Sequence, residues 1–222
     1  MKRSKPLMTS GVRYGRVTDN LTLEQLALIG AVALTFNEAE DHINTYTGHV
    51  IGVQFDPIQV VSRINGFDGK IELIKLAAKE FGCTGEEMTA IEECLGNGGF
   101  MLVKQYRDAV VHARLFDAGT SVAKVNERRG KRAEVLLSVE ALSGLLQRME
   151  IMANEISELL PIISSRHLLM AATDDHKRSR ILECIQDAMA RYHQYRSQRL
   201  ALAPLPEFPA QPDIHVLPNW SR

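Results

Sequence analysis

"YRDAVVHAR", residues 106–114, is the stretch on which the reading of this chain turns. Val103, Tyr106, Ala109, Val110 and Ala113 recur at the three- and four-residue spacing of a helix face turned toward a core. With Tyr106 at the centre of that face, its apolar partners fall within roughly 60° of it, at 100° per residue. Arg107, Asp108 and His112 lie on the other side, with Val111 standing among them. Asp108 and His112 are four residues apart and face one another. A carboxylate there can hydrogen-bond one imidazole nitrogen, set the tautomer and leave the other nitrogen as a base. Arg107 and His112 are about 140° apart on a regular helix, so one copy does not aim both at a single atom. Chemistry at this stretch therefore calls for two copies packed about a twofold axis, with Val111 placed to seal the contact.

The charge around the stretch is uneven. The whole chain of 222 residues carries a formal net charge of −1, yet residues 101–132 hold eight lysines and arginines against three acids, a local +5. The rest of the chain therefore carries −6. Lys104, Arg114, Arg128, Arg129, Lys131 and Arg132 belong to this basic region and are candidates to contact an RNA backbone; a solvated charged face is the plainer reading.

Composition favours helices. Aromatics make up only 6% of the chain, and Leu, Ala, Ile and Met supply most of the apolar content. Residues 1–20 read as a flexible basic arm, with no apolar run of the kind a secretory signal needs. Thr22-x-x-Gln25 has capping-box form and opens a long helix ending near Gly48. Its most apolar window, Leu26 to Phe36, is too short to span a bilayer, so no membrane partner is expected. Asp56-Pro57 suits the start of a short helix. "FDGKIELIKLAAKEFG" places Ile71, Ile74, Leu76, Ala78 and Phe81 in helical register, with Gly82 as terminator. Thr84-x-x-Glu87 is a second capping box, and "GNGG" at 96–99 either breaks its helix or lets two helices touch. A phosphate-cradling loop there lacks the preceding strand and the following Gly-Lys-Ser/Thr. Residues 118–137 read as a small β-hairpin around Gly130. Ser138 caps a further helix that Pro161 is expected to stop. Asp174 and Asp175 start a last helix reaching about Leu202, and the tail 203–222, with five prolines, reads as extended.

The predicted architecture is an all-α, four-helix bundle over residues 21–163 with a hairpin insertion, followed by a separate helix over 164–202. In this setting R-D-A-V-V-H, Arg107 to His112, resembles the motif of the HEPN superfamily, an arginine, a polar residue and then a histidine late in a bundle helix. "LIGAVALTFNEAEDHI" and "KIELIKLAAKEF" are similar to their counterparts in small bacterial members. The resemblance covers about residues 21–163. It implies a homodimer that cleaves RNA without a metal or other cofactor, with His112 as general base or acid, Arg107 stabilising phosphate charge and Asp108 in support. It also admits a regulatory or antitoxin protein as partner, and it equally admits a non-catalytic dimerising or RNA-binding module. Asp108 stands where the commonest form of the motif has Asn, and Ala113 where it has Gly. The chemistry is coherent: a neutral histidine titrates in the right range to take the 2′-OH proton, and a guanidinium makes paired contacts to a phosphorane.

Other polar groups read more plainly. His42 and His49, near Glu38 and Asp41, lack the further ligands of a metal site. Arg166, His167, Lys177, Arg178 and Arg180 are able to touch phosphates but suit a solvated face better. Cys83, Cys94 and Cys184 form no paired motif, which fits buried thiols in a reducing cytoplasm, and neither Cys83 nor Cys94 has a basic activator in the sequence around it.

Overall fold

The computed structural model describes residues 21–50, 66–111, 121–126 and 131–205. Among these residues, six helices are present: α1 (Leu23–Val50), α2 (Phe67–Glu80), α3 (Gly85–Leu95), α4 (Phe100–Val111), α5 (Val139–Ala171) and α6 (Asp175–Ala201). Between α4 and α5, strand β1 (Ser121–Asn126) pairs antiparallel with β2 (Lys131–Leu136), Val122 opposite Val135. The residues joining the two strands, and the expected helix at Asp56-Pro57, lie outside the described residues. So do the basic arm and residues 206–222 of the tail.

Both capping boxes form. Thr22 Oγ1 accepts the Gln25 N–H at 3.1 Å while Gln25 Oε1 accepts the Thr22 N–H at 2.8 Å. Thr84 and Glu87 repeat the exchange at the start of α3. Gln25 also donates its side-chain N–H to the Leu137 carbonyl at 2.6 Å, pinning the start of α1 beside the start of α5. The end of α2 is a Schellman turn: Gly82, at φ +73°, donates to Lys79 and lets Cys83 N–H reach the Ala78 carbonyl at 3.0 Å. A side chain at that φ would be strained.

The core follows the helical period. Val32, Phe36, Ala39, Ile43 and Tyr46 of α1 are buried against Ile71 and Ile74 of α2, Phe100, Val103, Tyr106 and Val110 of α4, and Leu142, Leu145, Met149 and Met152 of α5. Phe100 sits between Phe36 and Phe67, with ring centroids 5.0 and 4.9 Å away. This stack locks α4 against α1 and α2. Leu76, read as part of the apolar register of α2, is instead 55% exposed, because it falls outside the 71-74-78 stripe that faces the core. Lys70 takes a place at the buried edge, its ammonium donating to Asn44 Oδ1 at 2.6 Å. At Gly96 and Gly99 a Cβ would collide with carbonyl oxygens of Glu92, Glu93 and Cys94; "GNGG" both ends α3 and permits a close turn into α4.

Two sequence expectations are corrected. Pro161 does not stop α5, which continues ten residues further to Ala171. Leu159, Leu160, Ile162 and Ile163 on either side of the proline are buried. Their burial, worth roughly 1.5–3 kcal/mol each, outweighs the cost of about 3 kcal/mol for proline in a helix interior. Pro161 itself is exposed. Residue 164 therefore lies within α5 rather than at a break, and α6 is a helix of its own that packs on the same core. Ile185, Ala188, Met189 and Tyr192 of α6 join the same core, and the Tyr192 hydroxyl donates to the Ala90 carbonyl at 3.3 Å.

Candidate functional site

Lys104 and, from the quoted stretch, Arg107 and Asp108 are polar neighbours on the half-buried flank of α4. Asp108 links two cations: Lys104 Nζ lies 2.6 Å from Oδ2 and Arg107 Nη1 lies 2.8 Å from Oδ1. Arg107 also reaches α1. Its guanidinium stacks over the Phe36 ring, 4.3 Å from the centroid, and Nη2 donates to Asn37 Oδ1 at 3.3 Å. The Arg107 Nε–H is buried with no hydrogen-bond partner among the described residues.

The local chain explains this. Lys104 and Asp108 are four apart and meet along the helix surface. The 3.6-residue turn then sets Arg107 on the edge where α4 crosses α1, beside the Phe36–Phe100 stack. Burial alone would raise the Asp108 carboxyl, but the hydrogen bonds from Lys104 and Arg107 outweigh it and hold the carboxyl below the usual aspartate range. The cluster carries two cations and one anion, and the ring face orients the guanidinium.

Sequence reasoning found Lys104, Arg107 and Asp108 but missed Phe36 and Asn37, seventy residues away; nothing local to either segment signals that pairing. His112, Arg114, Arg128 and Arg129 lie outside the described residues. Lys131 and Arg132 belong to β2, which packs beside α4. Val111, the expected dimer contact, is half-buried.

The remaining candidates have structural settings of their own. Arg166, read as part of a solvated face, grips Glu87 at two points. His167 packs on the Phe81 ring at 4.4 Å, and Arg178 donates to the Ala172 carbonyl at 3.1 Å. Lys177 and Arg180 line a shallow cleft with Asp174, His176 and Cys184. Burial pushes the Cys83 thiol up to about 12 and the Cys94 thiol well above its ordinary value, so neither is a thiolate nucleophile at neutral pH. Among the described residues no three His, Cys, Asp or Glu side chains are grouped to hold a metal ion, and no helix is long and apolar enough to cross a membrane.

The sequence left one buried pair unseen. Glu155 of α5 is fully buried and accepts from Arg199 of α6 at 2.5 Å. Glu155 Oε2 has no hydrogen-bond partner among the described residues.

No protein-family model, no curated protein and no solved structure matches this chain.

Proposed function

We propose that this chain is a HEPN-like, homodimeric, metal-independent endoribonuclease acting in the cytoplasm, with Arg107 and His112 as its catalytic residues and Asp108 in support. The observation that carries the reading is the held Arg107 guanidinium. Phe36, Asn37 and Asp108 fix its orientation at the surface of α4, less than two helical turns from His112 in sequence. A cation positioned before substrate arrives stabilises charge in a transition state without reorganising.

In this reading His112 removes the proton from a ribose 2′-OH, whose oxygen attacks the adjacent phosphorus. Arg107 neutralises the phosphorane, and the 5′-oxygen leaves as it gains a proton from the imidazolium of the second copy. The products are a 2′,3′-cyclic phosphate and a 5′-hydroxyl. Lys104, Arg114 and the cations at 128–132 steer the RNA backbone. The sheet of β1 and β2 acts as an inserted hairpin that carries part of this charge.

A second reading has its own observation. Both Asp108 oxygens already accept from Lys104 and Arg107, an arrangement suited to a non-catalytic helix surface that only joins two copies or binds RNA.

Incubation of the full chain with end-labelled single-stranded RNA in excess EDTA separates the two. Cleavage to cyclic-phosphate ends, reduced on the order of a hundred- to ten-thousand-fold in His112→Ala with folding unchanged, supports the ribonuclease. Intact RNA throughout, with His112→Ala lowering Tm or dissociating a dimer, supports the interaction module.

A further inference from the structure

The seam between α1 and α5 is closed by large apolar side chains over much of its length but opens toward its far end. There Thr45, Ser157 and Ser164 line the gap, small polar residues where the packing elsewhere has Phe36 or Met152. Tyr46 and Leu160, which are 6% and 4% exposed, form its floor. Above that floor a cleft of about 530 Å³ remains, within the usual size range of small-molecule sites, roughly 300–1,000 Å³.

Besides the imidazoles of His42 and His49, and with neither lysine nor arginine, the walls carry two carboxylates, Glu38 and Asp41. Those two residues are one helical turn apart, so their side chains start roughly 5–6 Å from each other on the rim. Pro161 and Ser157 both line the opposite wall. Because proline has no N–H, the Ser157 carbonyl lacks the helical donor four residues on and is an acceptor beside the cleft. The floor hydroxyl stays a neutral phenol: burial pushes Tyr46 up to about 12, against a hydrogen bond with Ser164.

We propose that this cleft binds a small organic polycation, an alkyl chain bearing two or more ammonium groups. Its methylenes lie on Tyr46 and Leu160, one ammonium sits between Glu38 and Asp41, and another points to the Ser157 carbonyl. This stands independently of the ribonuclease reading, since none of these residues belongs to the Arg107 cluster.

Isothermal titration of the full chain with spermidine and with putrescine, at fixed ionic strength, tests it. Saturable one-site binding is expected, weakened at least tenfold by Glu38→Gln with Asp41→Asn, both exposed positions whose exchange leaves Tm unchanged. Ser157→Leu, which fills the cleft without altering charge, weakens it similarly. Absence of saturable binding for both amines, or binding unaltered by the paired carboxylate exchange, overturns the proposal. So does equal competition by magnesium ions, which marks mere charge attraction.

Discussion

Arg166 holds Glu87 across the bundle by two parallel contacts, Nη2 to Oε1 at 2.6 Å and Nε to Oε2 at 2.9 Å. The same carboxylate accepts the Thr84 N–H at 2.8 Å, so a cap of α3 and an ion pair to α5 share one side chain. The Glu87 side chain is only 4% exposed. Removing its cation leaves a buried charge. Arg166→Ala is expected to cost about 3 kcal/mol in urea unfolding, and Arg166→Lys to recover less than half, since an ammonium does not reproduce the two-point geometry. A loss well under 1 kcal/mol for the alanine variant would mean that the pair behaves as a surface contact.

The Glu155–Arg199 pair ties α6 to α5 from within the core. Arg199→Met alone is expected to destabilise by about 3–5 kcal/mol. Adding Glu155→Leu in the same chain is expected to restore most of that, because two apolar side chains then replace two buried charges. Full additivity of the two exchanges in denaturant melts would contradict this.

The same pair gives a pH signature. Burial pushes the Glu155 carboxyl up, and the Arg199 hydrogen bond only partly opposes it. The folded chain thus holds this proton more tightly than the unfolded chain does. Its contribution is largest at low pH and declines as pH rises from the ordinary glutamate range through the raised folded value. Glu155→Gln should flatten that decline in stability measured across the interval.

Asp108 has the opposite sign. Its carboxyl lies below the usual range in the folded chain, so its contribution is present above the unfolded aspartate value and is lost as pH falls through the folded one. Asp108→Asn should flatten the acid limb of the stability curve. At neutral pH it should cost about 1 kcal/mol or less, the side chains involved being partly exposed.

Pro161 sits within α5 at a measurable cost. Pro161→Ala restores a helical N–H for the Ser157 carbonyl and is expected to raise stability by up to roughly 3 kcal/mol. An unchanged or lowered Tm would show that the surrounding helix has already adapted to the ring.

Features written within one turn of chain were legible in advance. Thr22-x-x-Gln25 and Thr84-x-x-Glu87 close their capping boxes, Gly82 ends α2, and Val103, Tyr106 and Val110 face the core as the spacing of α4 requires. Of the candidate site, Lys104, Arg107 and Asp108 form one cluster, because their spacing on a single helix leaves them little choice. Arg166 was misjudged, since an arginine beside polar residues reads the same whether water or Glu87 receives it.

The sequence alone therefore determined where helices begin, which faces turn inward and which polar residues of α4 share a flank. These depend on hydrogen bonds and side-chain directions set within about four residues. Only the tertiary structure decided that α5 runs through Pro161, that α6 shares the core, and that Arg107 rests on Phe36 and Asn37. Those outcomes follow from apolar burial and charge pairing between segments far apart in sequence, whose combined free energy exceeds any local preference.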